Sequence, residues 1–310
     1  MHRPDPRPVS IFLMGPTASG KTALACQLAD RFGLNLVSVD SALVYRGMDI
    51  GTAKPDAATL ARYPHALVDL REPSASYSAA EFVDDARAEM KRITDAGAVP
   101  LLVGGTSLYF RALQYGLSPL PSADPDIRAR LSREAHDAGW PALHARLQKL
   151  DPDSAARIKP GDSQRIQRAL EVIELSGQPL SDQLSGPRPR FDYRVLKLAL
   201  VPERALLHQR IAERFDLMLE AGFLDEVRAL RQRGDLNPDM PAMRAVGYRQ
   251  AWQHLDTDTN AEQFRDAALA ATRQLAKRQT TWLRSTLDAR WLQTGSATEI
   301  ATRAVADFLR

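Results

Sequence analysis

Apolar positions early in the chain fall in short runs, each ending on residues with chemical potential. Ser10 to Met14 closes on four consecutive apolar residues and runs into the loop Gly15-Pro16-Thr17-Ala18-Ser19-Gly20-Lys21-Thr22. Beyond it the period changes. Leu24, Leu28 and Phe32 recur every four positions, which predicts a helix over Ala23 to Phe32, and Gly33 supplies its stop. Leu34 to Val39 reads as a second strand that delivers Asp40 at its carboxyl end. The capping box Ser78-x-x-Glu81 opens the next helix, which carries Phe82, Ala86, Met90 and Ile93 inward and stops at Gly97. Strand Val99 to Val103 follows and ends in Gly104-Gly105-Thr106.

Strands alternating with helices predict a parallel sheet with right-handed crossovers and ligands at the strands' carboxyl ends. After Leu117 the pattern changes. The turn-rich LSPLPSADP leads through Asp124, an N-cap, and Pro125 into helical, charge-rich sequence until about Arg190, with no strand pattern. Val195 to Val201 returns to the sheet, and helices follow over 203 to 221 and 223 to 233, separated by Gly222. The expected fold is α/β: a P-loop NTPase-like parallel sheet flanked by helices, with an inserted all-helical domain over 117–192 and a helical C-terminal region. The core is then 1–116 joined to 193–310.

Composition narrows the class. The 310 residues are 44% hydrophobic and 25% charged, as in a globular protein, and no segment reaches the roughly 18 apolar residues of a membrane helix. The N-terminus MHRPDPRPVS leads into only four apolar residues, short of a secretory signal, so no membrane partner is expected. Cys26 is the single cysteine, which excludes an internal disulfide and a Cys-rich zinc module and suits a reducing cytoplasm. Lys and Arg number 41 against 38 Asp and Glu, a balance that permits nucleic acid as a partner without requiring it.

Residues 15–22 spell G-x-x-x-x-G-K-T between a strand and a helix, the context in which this pattern carries a mechanism. The backbone N–H groups of Gly15, Pro16-Thr17-Ala18-Ser19 (proline excepted) and Gly20 can encircle a diphosphate, with the helix N-terminus adding a favourable field. Lys21 would neutralise the phosphates, and the Thr22 hydroxyl would meet Mg²⁺. Asp40 suits three roles: an acidic partner of Mg²⁺, a general base, or a turn cap with Ser41. Periodicity does not separate them.

A second charge feature lies near the C-terminus. At about 100° per residue Arg273, Lys277 and Arg284 fall within roughly 40° of one another on a helix, opposite Ala268, Leu275 and Trp282. No acidic residue occurs from Ala267 to Leu287. Such a stripe is either a solvated helix face or an RNA-binding surface.

GPTASGKT at 15–22, SVDSALVYRGMDIGTAKP at 38–55, LLVGGTSLYF at 101–110 and LSPLPSADPDIRARL at 117–131 together resemble the bacterial tRNA dimethylallyltransferases. DSQRIQRALEV at 162–172, RAVGYRQ at 244–250 and RQLAKRQTTWLR at 273–284 continue the family's order, so the resemblance spans nearly the whole chain. It implies transfer of a dimethylallyl group from dimethylallyl diphosphate to N6 of the adenosine just 3′ of the anticodon, with diphosphate leaving. The loop 15–22 is then a cradle for an isoprenoid diphosphate rather than a site of ATP hydrolysis. By the same carry-over Asp40 accepts the N6 proton, Thr106 stands beside the reacting groups, and Arg214 in AERFDLM reaches the diphosphate. An adenine in a stacked loop must be splayed out to react. The resemblance assigns contacts with the tRNA anticodon stem-loop to Asp40, Ser41, Ala42, Leu43 and Thr106, and to Arg128. The same role falls to Gln164, Arg165, Ile166, Gln167 and Arg168, and to Arg244, Ala245, Val246, Gly247, Tyr248 and Arg249. It also falls to Lys277, Arg278, Gln279, Thr280, Thr281, Trp282, Leu283 and Arg284. Tyr248 and Trp282 offer rings that stack on bases, with core packing the alternative for Trp282.

Two positions depart from the family's common pattern. Leu43 stands where many relatives carry Gln, which removes one polar contact to the target base or its neighbours, and Ala66 follows His65 where a second His is common. One chain carries both donor and acceptor sites, so a monomer suffices. Rival readings are an ATP-dependent small-molecule kinase, a prenyltransferase acting on free adenine nucleotides, and a non-catalytic RNA-binding protein switched by phosphate.

Overall fold

The computed structural model describes residues 5–184, 191–257, 259–286 and 288–310. The end of the expected helical stretch at Arg190, and Leu287, lie outside them. Six strands form one parallel sheet in the order β3-β2-β4-β1-β5-β6: β1 Val9–Met14, β2 Leu34–Val39, β3 His65–Ala66, β4 Val99–Gly104, β5 Arg194–Leu200 and β6 Arg290–Leu292. The helices, in chain order, are α1 Lys21–Phe32, α2 Ala57–Arg62, α3 Ala79–Asp95, α4 Ser107–Tyr115, α5 Pro125–Ala138, α6 Trp140–Leu150 and α7 Pro152–Arg157. They continue with α8 Ser163–Ser176, α9 Leu180–Gln183, α10 Arg204–Glu220, α11 Phe223–Gln232, α12 Tyr248–Asp256, α13 Ala261–Arg284 and α14 Ala297–Leu309.

β1 lies between β4 and β5, so its carboxyl end and the loop after it have neighbours on both sides. Alternation along the strand serves two layers. Ile11 and Leu13 join Leu24, Leu28, Leu101, Val103, Leu198 and Leu200 in a core that α14 closes with Ala301, Ala304 and Val305. Phe12 packs on Phe110 of α4 on the opposite face, their rings 5.2 Å apart. Most predicted elements form as the pattern required. Gly33 ends α1 in the left-handed region at φ 65°, and Ser78 and Glu81 make the reciprocal capping box of α3.

Differences from the predicted bounds have local causes. α1 starts at Lys21 rather than Ala23, because the left-handed Gly20 at φ 89° completes the turn from the loop. β5 begins at Arg194, whose N–H donates to Pro8 O at 2.8 Å, and stops short of Val201, which precedes Pro202. β6 and α14 carried too weak a signal to be predicted: β6 has three residues of which only Leu292 is buried, and α14 buries mainly alanines.

Contacts divide the described residues into two compact units, 1–113 with 192–310 and 114–191. The smaller unit holds α5 to α9 around Leu131, Leu147, Ile166, Ala169, Leu170 and Val172. Its centre also contains a carboxylate. Glu171 is fully buried and accepts from Arg128 (Nε at 2.8 Å, Nη2 at 3.1 Å), Arg168 Nη1 at 2.6 Å and the Asp124 N–H at 2.8 Å. Burial acts to raise its pKa, but the two guanidiniums and the amide outweigh this and hold the carboxyl below its ordinary value.

Candidate active site

Three loops at the carboxyl ends of β1, β2 and β4 are hydrogen-bonded into one surface. Gly15 N–H donates to Gly104 O at 3.2 Å, Thr106 N–H to Val39 O at 3.3 Å, and Ser41 N–H to the Thr106 hydroxyl at 3.1 Å. The approach is close enough to require glycine. A Cβ on Gly104 would stand 2.0 Å from Val39 O, and one on Gly15 would stand 2.6 Å from Leu200 O. A side chain from far along the sequence completes the joint. Gln279 of α13 accepts the Thr17 N–H through Oε1 at 2.9 Å and donates through Nε2 to Gly105 O at 3.0 Å. Both ends of its amide are thus used on backbone of two different loops. Replacing Gln279 by Leu strands the Thr17 N–H and the Gly105 carbonyl and should cost about 1–3 kcal/mol. Urea unfolding measures it, and an unchanged midpoint would show that the joint is not held by Gln279.

The loop 15–20 curls over the N-terminus of α1, with Ala18 left-handed at φ 61° and Ser19 N–H donating to Pro16 O at 3.2 Å. Lys21 Nζ folds back to Pro16 O at 3.2 Å. Two arginines from one face of α10 reach the same loop: Arg214 Nη2 donates to the Thr17 hydroxyl at 2.6 Å and Arg210 Nη1 to Ser19 O at 3.3 Å. Burial pushes the Lys21 ammonium down to about 8, the negative charge of Asp40 opposing and the neighbouring Arg214 adding to the shift. Burial likewise lowers Arg214, with Asp40 opposing. The buried Ser19 hydroxyl has no hydrogen-bond partner. Half-buried cations and an unsatisfied hydroxyl around curled backbone form a site that gains from an anion.

Asp40 serves the turn and faces the cavity. Its Oδ1 accepts the N–H groups of Ala42 at 2.9 Å and Leu43 at 3.4 Å, while Oδ2 accepts none among the described residues. A cavity of about 270 Å³ is lined by Thr17, Lys21, Asp40, Ser41, Ala42, Thr106, Arg214 and Gln279. Ile211, Phe215, Met218 and Leu275 contribute an apolar side, and Gly51, Thr52, Phe223, Thr272 and Arg244 to Gly247 complete it. One space therefore joins a cationic phosphate-type loop, a carboxylate and an apolar wall. Thr22 lies outside this space. It is exposed, on an adjoining cleft of about 400 Å³ that also touches Lys21, Arg210 and Arg214.

The remaining sequence-predicted residues scatter in role. Arg273, Lys277, Arg278, Thr281 and Arg284 are exposed on α13, and Arg244 and Arg249 are exposed on either side of the turn at 247. Thr280 is half-buried and donates to Ala276 O at 2.9 Å. Trp282 is half-buried and stacks on Phe110 at 6.2 Å, and Leu283 is buried, so these two pack rather than present themselves. Tyr248 is fully buried, edge to face with Phe223, so its ring is not placed to stack on a base. Leu43 is half-buried and does not line the cavity. In the smaller unit Gln164 and Arg165 are exposed, Ile166 is buried, and Gln167 Nε2 donates to Arg128 O at 3.0 Å and Ser132 Oγ at 2.9 Å. Arg128 and Arg168 turn to Glu171, and each keeps part of its side chain exposed. Gln279 as a loop joint, Ile211, Phe215 and Met218 as cavity wall, and Glu226 beneath Gly51 were not identified from sequence.

The family model described as IPP transferase matches residues 43–286, beginning just after Asp40. A protein of Thiobacillus denitrificans named tRNA dimethylallyltransferase is 64% identical over 90% of this chain and 89% of its own. One of the same name from Xanthomonas campestris pv. campestris is 56% identical over 98% and 95%. Among solved structures, the full-length tRNA isopentenylpyrophosphate transferase of Bacillus halodurans superposes with a TM-score of 0.71 at 36% identity, covering 96% of each chain. A eukaryotic dimethylallyltransferase acting on tRNA gives a TM-score of 0.80 at 25% identity, covering 97% of this chain and 79% of that one.

Proposed function

The chain belongs to the IPP transferase family and transfers a dimethylallyl group to tRNA; from that premise we propose how the cavity divides the work. The donor is dimethylallyl diphosphate, and the acceptor is N6 of the adenosine just 3′ of the anticodon. The observation that carries this reading is a single cavity in which Lys21 of α1 and Arg214 of α10 converge on the loop 15–20 while Asp40 stands on the loop after β2. One group neutralises a leaving diphosphate, and the other takes a proton from an incoming amine.

The N6 nitrogen forms a bond to allylic C1 as the C1–O bond breaks, and its proton passes to Asp40 Oδ2. An exocyclic adenine amine is a poor nucleophile because its lone pair is delocalised into the ring. Proton removal and close positioning are therefore what the protein can supply. Negative charge grows on the departing diphosphate, where Lys21, Arg214 and the amides of 15–20 lie ready. Ile211, Phe215, Met218 and Leu275 shelter the hydrocarbon, excluding water that would compete for C1.

Among the described residues no three His, Cys, Asp or Glu side chains cluster to cage a metal. The exposed Thr22 hydroxyl beside Lys21 instead suits Mg²⁺ carried on phosphate oxygens, which needs few protein ligands. When bound there, Mg²⁺ adds Lewis-acid stabilisation to the leaving group.

The exposed Lys277 and Arg284 are the proposed phosphate contacts for RNA. Replacing either by Ala should weaken stem-loop binding and reduce the slope of log K against log salt by about 1. Equal affinity and equal slope would remove α13 from the RNA surface. The reaction itself is tested with labelled dimethylallyl diphosphate, Mg²⁺ and an unmodified anticodon stem-loop. Label on the loop adenosine supports the reading, label on free AMP moves the acceptor to nucleotides, and phosphate transfer from ATP restores a kinase.

No helix among the described residues is long and apolar enough to cross a membrane. The protein is proposed to act as a monomer in the cytoplasm, because one chain supplies every group named above.

A further inference from the structure

Glu226, in the first turn of α11, gathers four donors. Its Oε2 accepts the N–H groups of Asp49 at 2.9 Å and Ile50 at 2.8 Å. Its Oε1 accepts the Gly51 N–H at 3.2 Å and the Tyr248 hydroxyl at 2.5 Å. Three consecutive amides converging on one point make a concave anion nest, here filled by the protein's own carboxylate. The position also places a negative charge at a helix N-terminus, where it is favoured.

Packing around this knot leaves no slack. A Cβ on Gly51 would stand 2.2 Å from Phe223 Cε2 and 2.7 Å from the Tyr248 ring, and the two rings meet edge to face at 5.2 Å. Gly247, at φ 96°, gives its N–H to Gln250 Oε1 at 2.9 Å and lies against Phe223. Gly51, Phe223 and Gly247 all line the catalytic cavity. The amides of 49 to 51 are consumed by Glu226, so this stretch of backbone offers the cavity no donor, and Gly51 and the Phe223 ring present carbon. Such a surface suits a flat neutral base and not a diphosphate.

We propose that Glu226 is a positioning residue for the acceptor. It binds the 49–51 loop, the Phe223 ring and the 247–248 turn into one rigid wall against which the target adenine is set with N6 toward Asp40. The inference rests on the acceptor reading above.

The test compares Glu226→Gln and Tyr248→Phe with the wild type in the stem-loop assay. A carboxamide accepts through one oxygen only, so its NH₂ must face at least one backbone N–H of the nest. The kcat/KM for the stem-loop should fall about 10- to 100-fold, the scale of small misplacements of reacting groups, while affinity for dimethylallyl diphosphate stays unchanged. Tyr248→Phe should shift the same constants in the same direction by less. A lower melting temperature with unchanged kinetics, or a loss confined to donor affinity, would overturn the proposal. If Glu226→Gln fails to fold, Tyr248→Phe decides, and its kinetic equality with the wild type would also overturn it. Absence of transfer by the wild type would overturn the acceptor reading and this inference together.

Discussion

Replacing Asp40 by Asn should lower the rate of transfer by about 10²- to 10⁴-fold, the range of a positioned general base. The substitution is selective because Asn keeps an Oδ1 that can accept from Ala42 and Leu43, so the turn after β2 survives. The group lost is the carboxylate oxygen that takes no hydrogen bond among the described residues. Melting temperature and donor affinity near neutral pH should therefore change little while single-turnover transfer collapses. A second readout distinguishes the charge from the shape. Asp40 supports the proton on Lys21, so its neutralisation should move the loss of donor binding at high pH to a lower pH. Unchanged single-turnover rates in Asp40→Asn would remove it as the base and leave its turn-capping role.

Lys21→Met should lower transfer by about 10²- to 10³-fold through loss of leaving-group stabilisation, and should weaken donor binding as well. The pH dependence fixes its sign. Free Lys21 sits at about 8 because it is buried, and a bound diphosphate raises it by adding nearby negative charge. Binding is thus strongest below pH 8, where the ammonium is already formed, and weakens as pH rises through 8 because protonation must accompany binding. Isothermal titration in buffers of differing ionisation heat should show proton uptake above pH 8 in the wild type. Lys21→Met should lack both that uptake and the alkaline decline. A decline that persists in the variant would assign it to another group.

Legibility in the sequence followed distance along the chain. The loop 15–22 and the position of Asp40 were readable because each follows an apolar strand directly, and parallel strands bring their carboxyl ends to one edge, whereas the roles of Asp40 and Thr106 came from the family resemblance. Gln279 and Glu226 were not readable in these roles. Each acts on backbone more than 170 residues away, at separations of 262 for Thr17 and 175 for Gly51, and backbone partners leave no pattern in side-chain identity. Arg128 and Arg168 show a role the sequence left unread: both pair with the buried Glu171, a partner 43 residues from Arg128. Tyr248 misled for a related reason: burial of an aromatic ring depends on which elements cover it, here Phe223 of α11 and Gly51 of a distant loop.

The Gln279 joint sets an order on biosynthesis. The strand, loop and first helix of the phosphate site are among the earliest residues made, yet the Thr17 amide and the Gly105 carbonyl meet their shared partner 262 and 174 residues later, respectively. While the ribosome is still adding the chain before α13, the loop has its curl but not its clamp. Until then the Thr17 donor and the Gly105 acceptor lack the side chain that joins them. The clamp therefore arrives together with α13, whose outer face is the proposed RNA surface, so the two loops are joined only once that helix has been made.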